Sequence, residues 1–335
     1  LKVYHDWMPH VHVDFHEQGY NNPYYFAPAA EPYHEVISSW QREFQAIIGK
    51  NNAKYFDEKG WLYFTKEVFD LYYPSYGDTY PTYSGAIGMT YEQGGGGAGG
   101  LVITTERGQP LTLKDRIDHH HTSALSTLEV TSLNAARVTE EFEKYFRENN
   151  TSPASPYKTY VIKATNNADK IQTLTAWMDL HLIRYGHPAN SKTSRGFNFQ
   201  TQTVSAVTIS SQDLIVNVYQ PKSRFITTIF EPVSRLSDSL TYDITAWNLM
   251  YAYNLDAYAL TEQVDVDRAY KPAAPANRPA DLSPYAYVFK YGNLADVRFL
   301  AALMQHNMKV RCTERPFAVD GQTFPAGSLI VTRRN

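Results

Sequence analysis

Residues 10–16 read His-Val-His-Val-Asp-Phe-His, an alternation with a period of two. In an extended strand it places His10, His12, Asp14 and His16 on one face and Val11, Val13 and Phe15 on the other. The period then lengthens. Val36, Ile37, Trp40, Phe44 and Ile47 recur at helical spacing, and Gly49 is placed to end that helix. Residues 70–85 are rich in Pro, Gly and Tyr and predict a loop, after which the apolar or small residues 86–91 predict a second strand. Glycine dominates residues 94–100, too densely for a regular element. A Thr112-x-x-Asp115 capping pattern opens a long helical region with Leu125, Leu128, Val138, Phe142 and Tyr145 as core candidates, closing near Asn149.

Residues 149–156 are polar and broken by Pro153 and Pro156, which predicts a boundary between a first domain over residues 1–150 and a second over 151–335. The second part carries an internal repeat. Ser155-Pro156-Tyr157, Tyr160-Val161-Ile162-Lys163, Asn166 and Ala168-Asp169 recur as Ser283-Pro284-Tyr285, Tyr287-Val288-Phe289-Lys290, Asn293 and Ala295-Asp296. Both copies read as strand, polar cap and helix, and both later reach an apolar strand, Leu214-Ile215-Val216 or Leu329-Ile330-Val331. This alternation predicts an α/β chain with parallel or mixed sheets. Residues 238–247 are polar and aromatic, the character of a docking surface.

Composition narrows the classes. Apolar residues make up 43% of the 335, enough for two buried cores. No apolar run is long enough to span a bilayer. A net charge of -3 without a basic stripe argues against a nucleic-acid partner. Cys312 is the single cysteine, so neither an intrachain disulfide nor a Cys-based zinc cluster is available. The 26 tyrosines suit a polar groove lined by aromatics, or a core of hydrogen-bonded rings. The chain opens at Leu1 without Met and ends on a strand-like segment, and it is read as a fragment. The compartment stays open, with a periplasmic or secreted location compatible with a signal peptide further upstream.

Two groups stand out for chemistry. His16, at the end of its strand, reads equally as a structural histidine or as a metal ligand. A catalytic zinc needs three protein ligands, and His10 lies about 20 Å along the strand, too far to share one ion. The pattern His-x-His-x-Asp-x-His also misses the His-x-His-x-Asp-His of metallo-β-lactamase-type hydrolases by the insertion of Phe15. Glu92 follows an apolar strand beside the glycine run. Partial burial there would raise its pKa toward the range of a general base, whereas a solvated glutamate would pair with Arg107 or Arg116. The glycine run lacks the Gly-Lys-Ser/Thr ending of a phosphate loop and reads as a rim loop. His119, His120 and His121, at the start of a helix, read as solvated or capping residues, with one member facing the active cleft as the alternative.

Val13-Asp14-Phe15-His16-Glu17, Asn21-Asn22-Pro23-Tyr24-Tyr25-Phe26, the tyrosine loop from Tyr72 to Pro81 and Gly88-Met89-Thr90-Tyr91-Glu92-Gln93 together resemble the carboxypeptidase A-type zinc metallopeptidases. The likeness runs in consistent order over residues 1–150 and is nearest to large bacterial members with extra C-terminal sequence. It implies the C-terminal part of a mixed sheet with flanking helices, a peptide or protein substrate, Zn2+ bound by His16 as third ligand, and Glu92 as catalytic glutamate. A loop tyrosine would fold over the substrate: Tyr73 first, with Tyr76 and Tyr80 as alternatives. His16 and Glu92 should then face one cleft about 5–9 Å apart, the span of a zinc, its water and a hydrogen bond. The family's upstream His-x-x-Glu motif, arginine and Asn-Arg pair are absent, so this chain alone is expected to bind zinc weakly and to be inactive. The second part resembles glutamine amidotransferase-like folds, but no Gly-x-Cys-x-Gly elbow is present and it reads as a non-catalytic accessory domain. The alternative function is a non-catalytic peptide- or glycan-binding module that keeps the cleft.

Overall fold

The computed structural model describes residues 1–98, 100–236, 241, 246–271 and 283–333, and the chain is mixed α/β with several small sheets. Of the segment 238–247, only Thr241, Ala246 and Trp247 fall within the described residues. The alternating segment forms the strand Val11–Gln18, and the small-apolar segment the strand Ile87–Gly94. They pair in parallel, Val11 opposite Ile87 through Gln18 opposite Gly94, with the short strands Tyr24–Tyr25 and Tyr63–Phe64 completing a four-stranded sheet. Because side chains alternate along a strand, Ile87, Met89 and Tyr91 enter an apolar core with Tyr24, Phe44, Ile48 and Phe56. Gly88, Thr90 and Glu92 are left for the opposite face.

The helix Ser39–Lys59 begins on a Ser38–Gln41 capping box and ends at Gly60 in the left-handed conformation, φ 67°. It runs straight through Gly49, contrary to the stop expected there. A Cβ at Gly49 would lie 2.2 Å from the Ala27 carbonyl oxygen, so the glycine serves close packing of the helix on that turn. The Thr112–Asp115 capping box is formed and opens the helix Leu113–Leu133, and a separate helix, Ala135–Thr151, follows after Asn134. Val138 and Tyr145 are buried as expected. Leu125 and Leu128 are not: they are 53% and 64% exposed. The face turned inward is the polar one, with Ser126 Oγ accepting from Asn51, Ser123 bonded to the Tyr24 hydroxyl and Thr127 to that of Tyr91.

Beyond residue 151 the strands form sheets of their own. Thr203–Ile209, Lys192–Asn198, Ala257–Leu260, Thr159–Ile162 and Leu214–Asn217 lie in that order, every neighbouring pair antiparallel. The parallel or mixed sheet expected here is therefore corrected. After the strand and helix the chain inserts a hairpin before Leu214–Asn217, which returns against Thr159–Ile162 without a parallel crossover. The repeat, in contrast, extends to register. Ile162 faces Leu214 and Tyr160 faces Val216 in the first copy, while Phe289 faces Leu329 and Tyr287 faces Val331 in the second. The third strand agrees as well: Ile215 bridges Gly186 as Ile330 bridges Arg311.

The two parts share apolar packing, since Tyr33, Leu71 and Tyr83 belong to one buried cluster with Tyr160, Phe225 and Phe230. Buried polar links cross the same seam. His34 Nε2 lies 2.8 Å from Glu231, and Lys222 donates to Ser84 Oγ at 3.0 Å. Among the described residues no helix is long and apolar enough to cross a membrane.

Candidate functional site

The parallel register puts His16 directly opposite Glu92, one residue per strand at the C-terminal ends of Val11–Gln18 and Ile87–Gly94. His16 Nδ1 lies 3.9 Å from Glu92 Oε1, and His16 Nε2 lies 3.0 Å from Asp14 Oδ2. The first distance is shorter than the about 5–9 Å expected, because laterally paired strand residues are separated only by the interstrand spacing of about 4.8 Å. The residues share a pocket of ≈ 140 Å³ with Asp70, Tyr76, Gly77, Asp78 and Thr90.

The loop from residue 70 to 85, which also contains the short strand Asp70–Leu71 and the helix Thr79–Tyr83, lies on the even-numbered face of Ile87–Gly94 because that face is small. A Cβ at Gly88 would meet the Asp78 carbonyl oxygen at 1.9 Å, and one at Gly77 would meet Asp14 Oδ2 at 1.8 Å. Gly88 is thus needed for the loop to close on the strand, and a side chain at Gly77 would have to displace the Asp14 carboxylate. Asp78, 6% exposed, accepts a hydrogen bond from Thr90 Oγ1 at 2.9 Å.

Electrostatically the pocket is a cluster of carboxylates with one imidazole. Glu92 is 6% exposed, and its Oε2, like Asp78 Oδ1, is buried with no hydrogen-bond partner among the described residues. Burial raises the Glu92 carboxyl above the ordinary glutamate value; neighbouring His16 pulls it back, and Asp14 and Asp78 push it further up. Burial likewise raises Asp78 to about 6 against the hydrogen bond from Thr90, with Asp14 adding to the rise. An imidazole with one nitrogen on a carboxylate is the arrangement that orients a metal-bound histidine. Among the described residues, however, no group of three or more His, Cys, Asp or Glu could hold a metal ion. The pocket fits one ligand position of a zinc site and does not complete one.

Of the three tyrosines, Tyr76 lines the pocket. Tyr73 stands one ring away, edge-on to Tyr76 at 5.1 Å. Tyr80 lies outside it: its hydroxyl lies 2.9 Å from His5 Nε2 and 3.1 Å from His181 Nδ1. His10 packs on Phe142 and His12 on Tyr4, so the three strand histidines are dispersed. Glu92 meets neither Arg107 nor Arg116; Arg116 faces Glu17 at 3.6 Å.

The histidine run is placed inside a helix, with His119 buried and His120 half-buried. Gln93 Nε2 donates to the Gly94 carbonyl, and its Oε1 lies 2.8 Å from His119 Nδ1. Burial lowers His119 to about 4. His120 Nδ1 lies 2.8 Å from the Tyr24 hydroxyl, and His121 is exposed. His119 and His120 thus depart from the solvated or capping roles expected, and the exposed His121 keeps to them.

Sequence reasoning placed Asp14 on the face of His16 without assigning it a function, and missed Asp78 altogether. Asp14 and Thr90 could have been found, each two residues before a named site residue on the same face. Asp78 carried no such signal, because its position depends on how the loop folds back. No family model, no curated protein and no solved structure matches this chain.

Proposed function

We propose that the His16–Glu92 pocket is part of the active site of a zinc-dependent peptidase of carboxypeptidase type, acting on peptides or proteins. One observation carries the reading: a buried carboxylate, one oxygen of which has no partner among the described residues, sits in register beside a carboxylate-oriented imidazole, at the C-terminal end of parallel strands. Ligands and catalytic groups collect at that edge in α/β sheets. The resemblance of residues 1–150 adds to it. Zinc, with His16 as one of its ligands, would polarise a scissile carbonyl and lower the pKa of water.

The chain's own residues have simpler tasks. Asp14 holds the His16 ring in place. Glu92 takes a proton at Oε2 from a water in the pocket and returns it to the leaving amine, a role its raised pKa suits. Tyr76 closes one wall of the pocket and shields it from solvent.

The test is a pair of substitutions in the protein. Glu92→Gln keeps shape but cannot accept a proton, so peptide turnover should fall by about 10²–10⁴-fold with zinc content retained. His16→Ala should lose zinc and turnover together. Near-parental turnover of Glu92→Gln would make the carboxylate structural and end the proposed mechanism.

A further inference from the structure

We propose that Trp247, from the second part of the chain, is a positioning residue for the tyrosine loop of the pocket. This rests on the peptidase reading of that pocket. The indole is itself anchored, its Nε1 donating to the Thr228 carbonyl at 3.0 Å within the buried helix Ser223–Phe230. From there a series of edge-on rings runs to the site. Trp247 meets Tyr72 at 5.3 Å and Tyr73 at 5.7 Å, and Tyr73 meets Tyr76 at 5.1 Å with the planes 70° apart. Tyr76 is the pocket wall. The next residue, Gly77, is pressed against Asp14, the carboxylate that orients His16.

The loop is fastened at both ends. Tyr83 donates from its hydroxyl to the carbonyls of Leu71 at 2.7 Å and Tyr72 at 3.0 Å, and Thr79 Oγ1 accepts from the Tyr76 amide at 3.0 Å. Between these points the rings of Tyr72 and Tyr73 lean on Trp247. Edge-to-face pairs hold rings at defined angles, so the second part of the chain sets the direction in which Tyr76 faces the pocket. Its contribution to the site is preorganisation: a loop ordered in advance loses less freedom when a ligand binds. Trp247 touches none of the reacting groups, so its removal should weaken ligand binding and leave proton transfer at Glu92 intact.

The experiment uses the full chain with Trp247→Ala and Trp247→Phe. Amide hydrogen exchange is read by mass spectrometry, and binding of a dansyl-labelled tripeptide by fluorescence anisotropy. In Trp247→Ala, exchange over residues 72–78 should accelerate by about 10-fold, with residues 87–94 and 159–162 unchanged, and the tripeptide should bind about 10-fold more weakly. Trp247→Phe, which keeps a ring, should restore most of both. Unchanged exchange in Trp247→Ala overturns the proposal, as does faster exchange with unchanged tripeptide affinity. A wild-type chain that fails to bind the tripeptide overturns the peptide-cleft reading beneath it, even where the exchange result stands.

Discussion

Asp78→Asn should make the protein more stable above neutrality and leave it little changed in acid. Asp78 is 6% exposed, carries one oxygen without a partner among the described residues and lies near Asp14, and its carboxyl is raised from 3.8 to about 6. In the window between those values the folded protein binds more protons than the unfolded chain. Stability due to this group is therefore complete below pH 3.8 and is lost as pH rises through about 6. At 1.36 kcal/mol per pH unit, the loss amounts to about 3 kcal/mol by pH 7. Asparagine has nothing to ionise, and its side-chain oxygen can still accept from Thr90 Oγ1. Urea denaturation of both proteins from pH 3.5 to 8 is the assay. The stability difference between Asp78→Asn and wild type should grow by about 3 kcal/mol across that range in favour of the variant. Parallel pH profiles would show that Asp78 is not a buried, strained carboxylate, and the description of the pocket's electrostatics would fail with it.

Gly88→Ala should destabilise by about 3 kcal/mol, the upper part of the overpacking range, because its Cβ would meet the Asp78 carbonyl oxygen at 1.9 Å; a urea midpoint equal to wild type would refute the close approach. Lys222 is 4% exposed and burial lowers its ammonium from 10.5 to about 8. Between pH 8 and 10.5 the unfolded chain binds the extra proton, so wild-type stability should rise with pH by about 3 kcal/mol relative to Lys222→Met, and a constant difference would contradict this.

Much of the site was legible because two strands carry it and strands have a rigid period. The alternation over residues 10–16 placed Asp14 with His16, and a parallel pairing was enough to set His16 beside Glu92. What lay outside local patterning was harder to read. Gly49 carries the residue type of a helix stop, yet the Ala27 carbonyl that requires a glycine there is distant in sequence. Leu125 and Leu128 have the hydrophobicity of core residues, but Ser123 and Thr127 occupy the inner face because core tyrosines supply hydroxyl partners. Asp78 reaches the pocket through loop closure, and Trp247 meets Tyr72 and Tyr73 through packing between the two parts of the chain, neither of which leaves a periodic trace. The internal repeat was readable as strand, cap and helix, whereas its antiparallel pairing depended on an inserted hairpin.

The central claim, that His16 is a zinc ligand beside a proton-accepting Glu92, is tested most directly by calorimetric zinc titration of the chain and two variants. One imidazole in a pocket without a complete ligand set predicts weak binding, in the micromolar range or weaker, abolished in His16→Ala and retained in Glu92→Gln. Zinc binding that persists unchanged in His16→Ala would contradict the account.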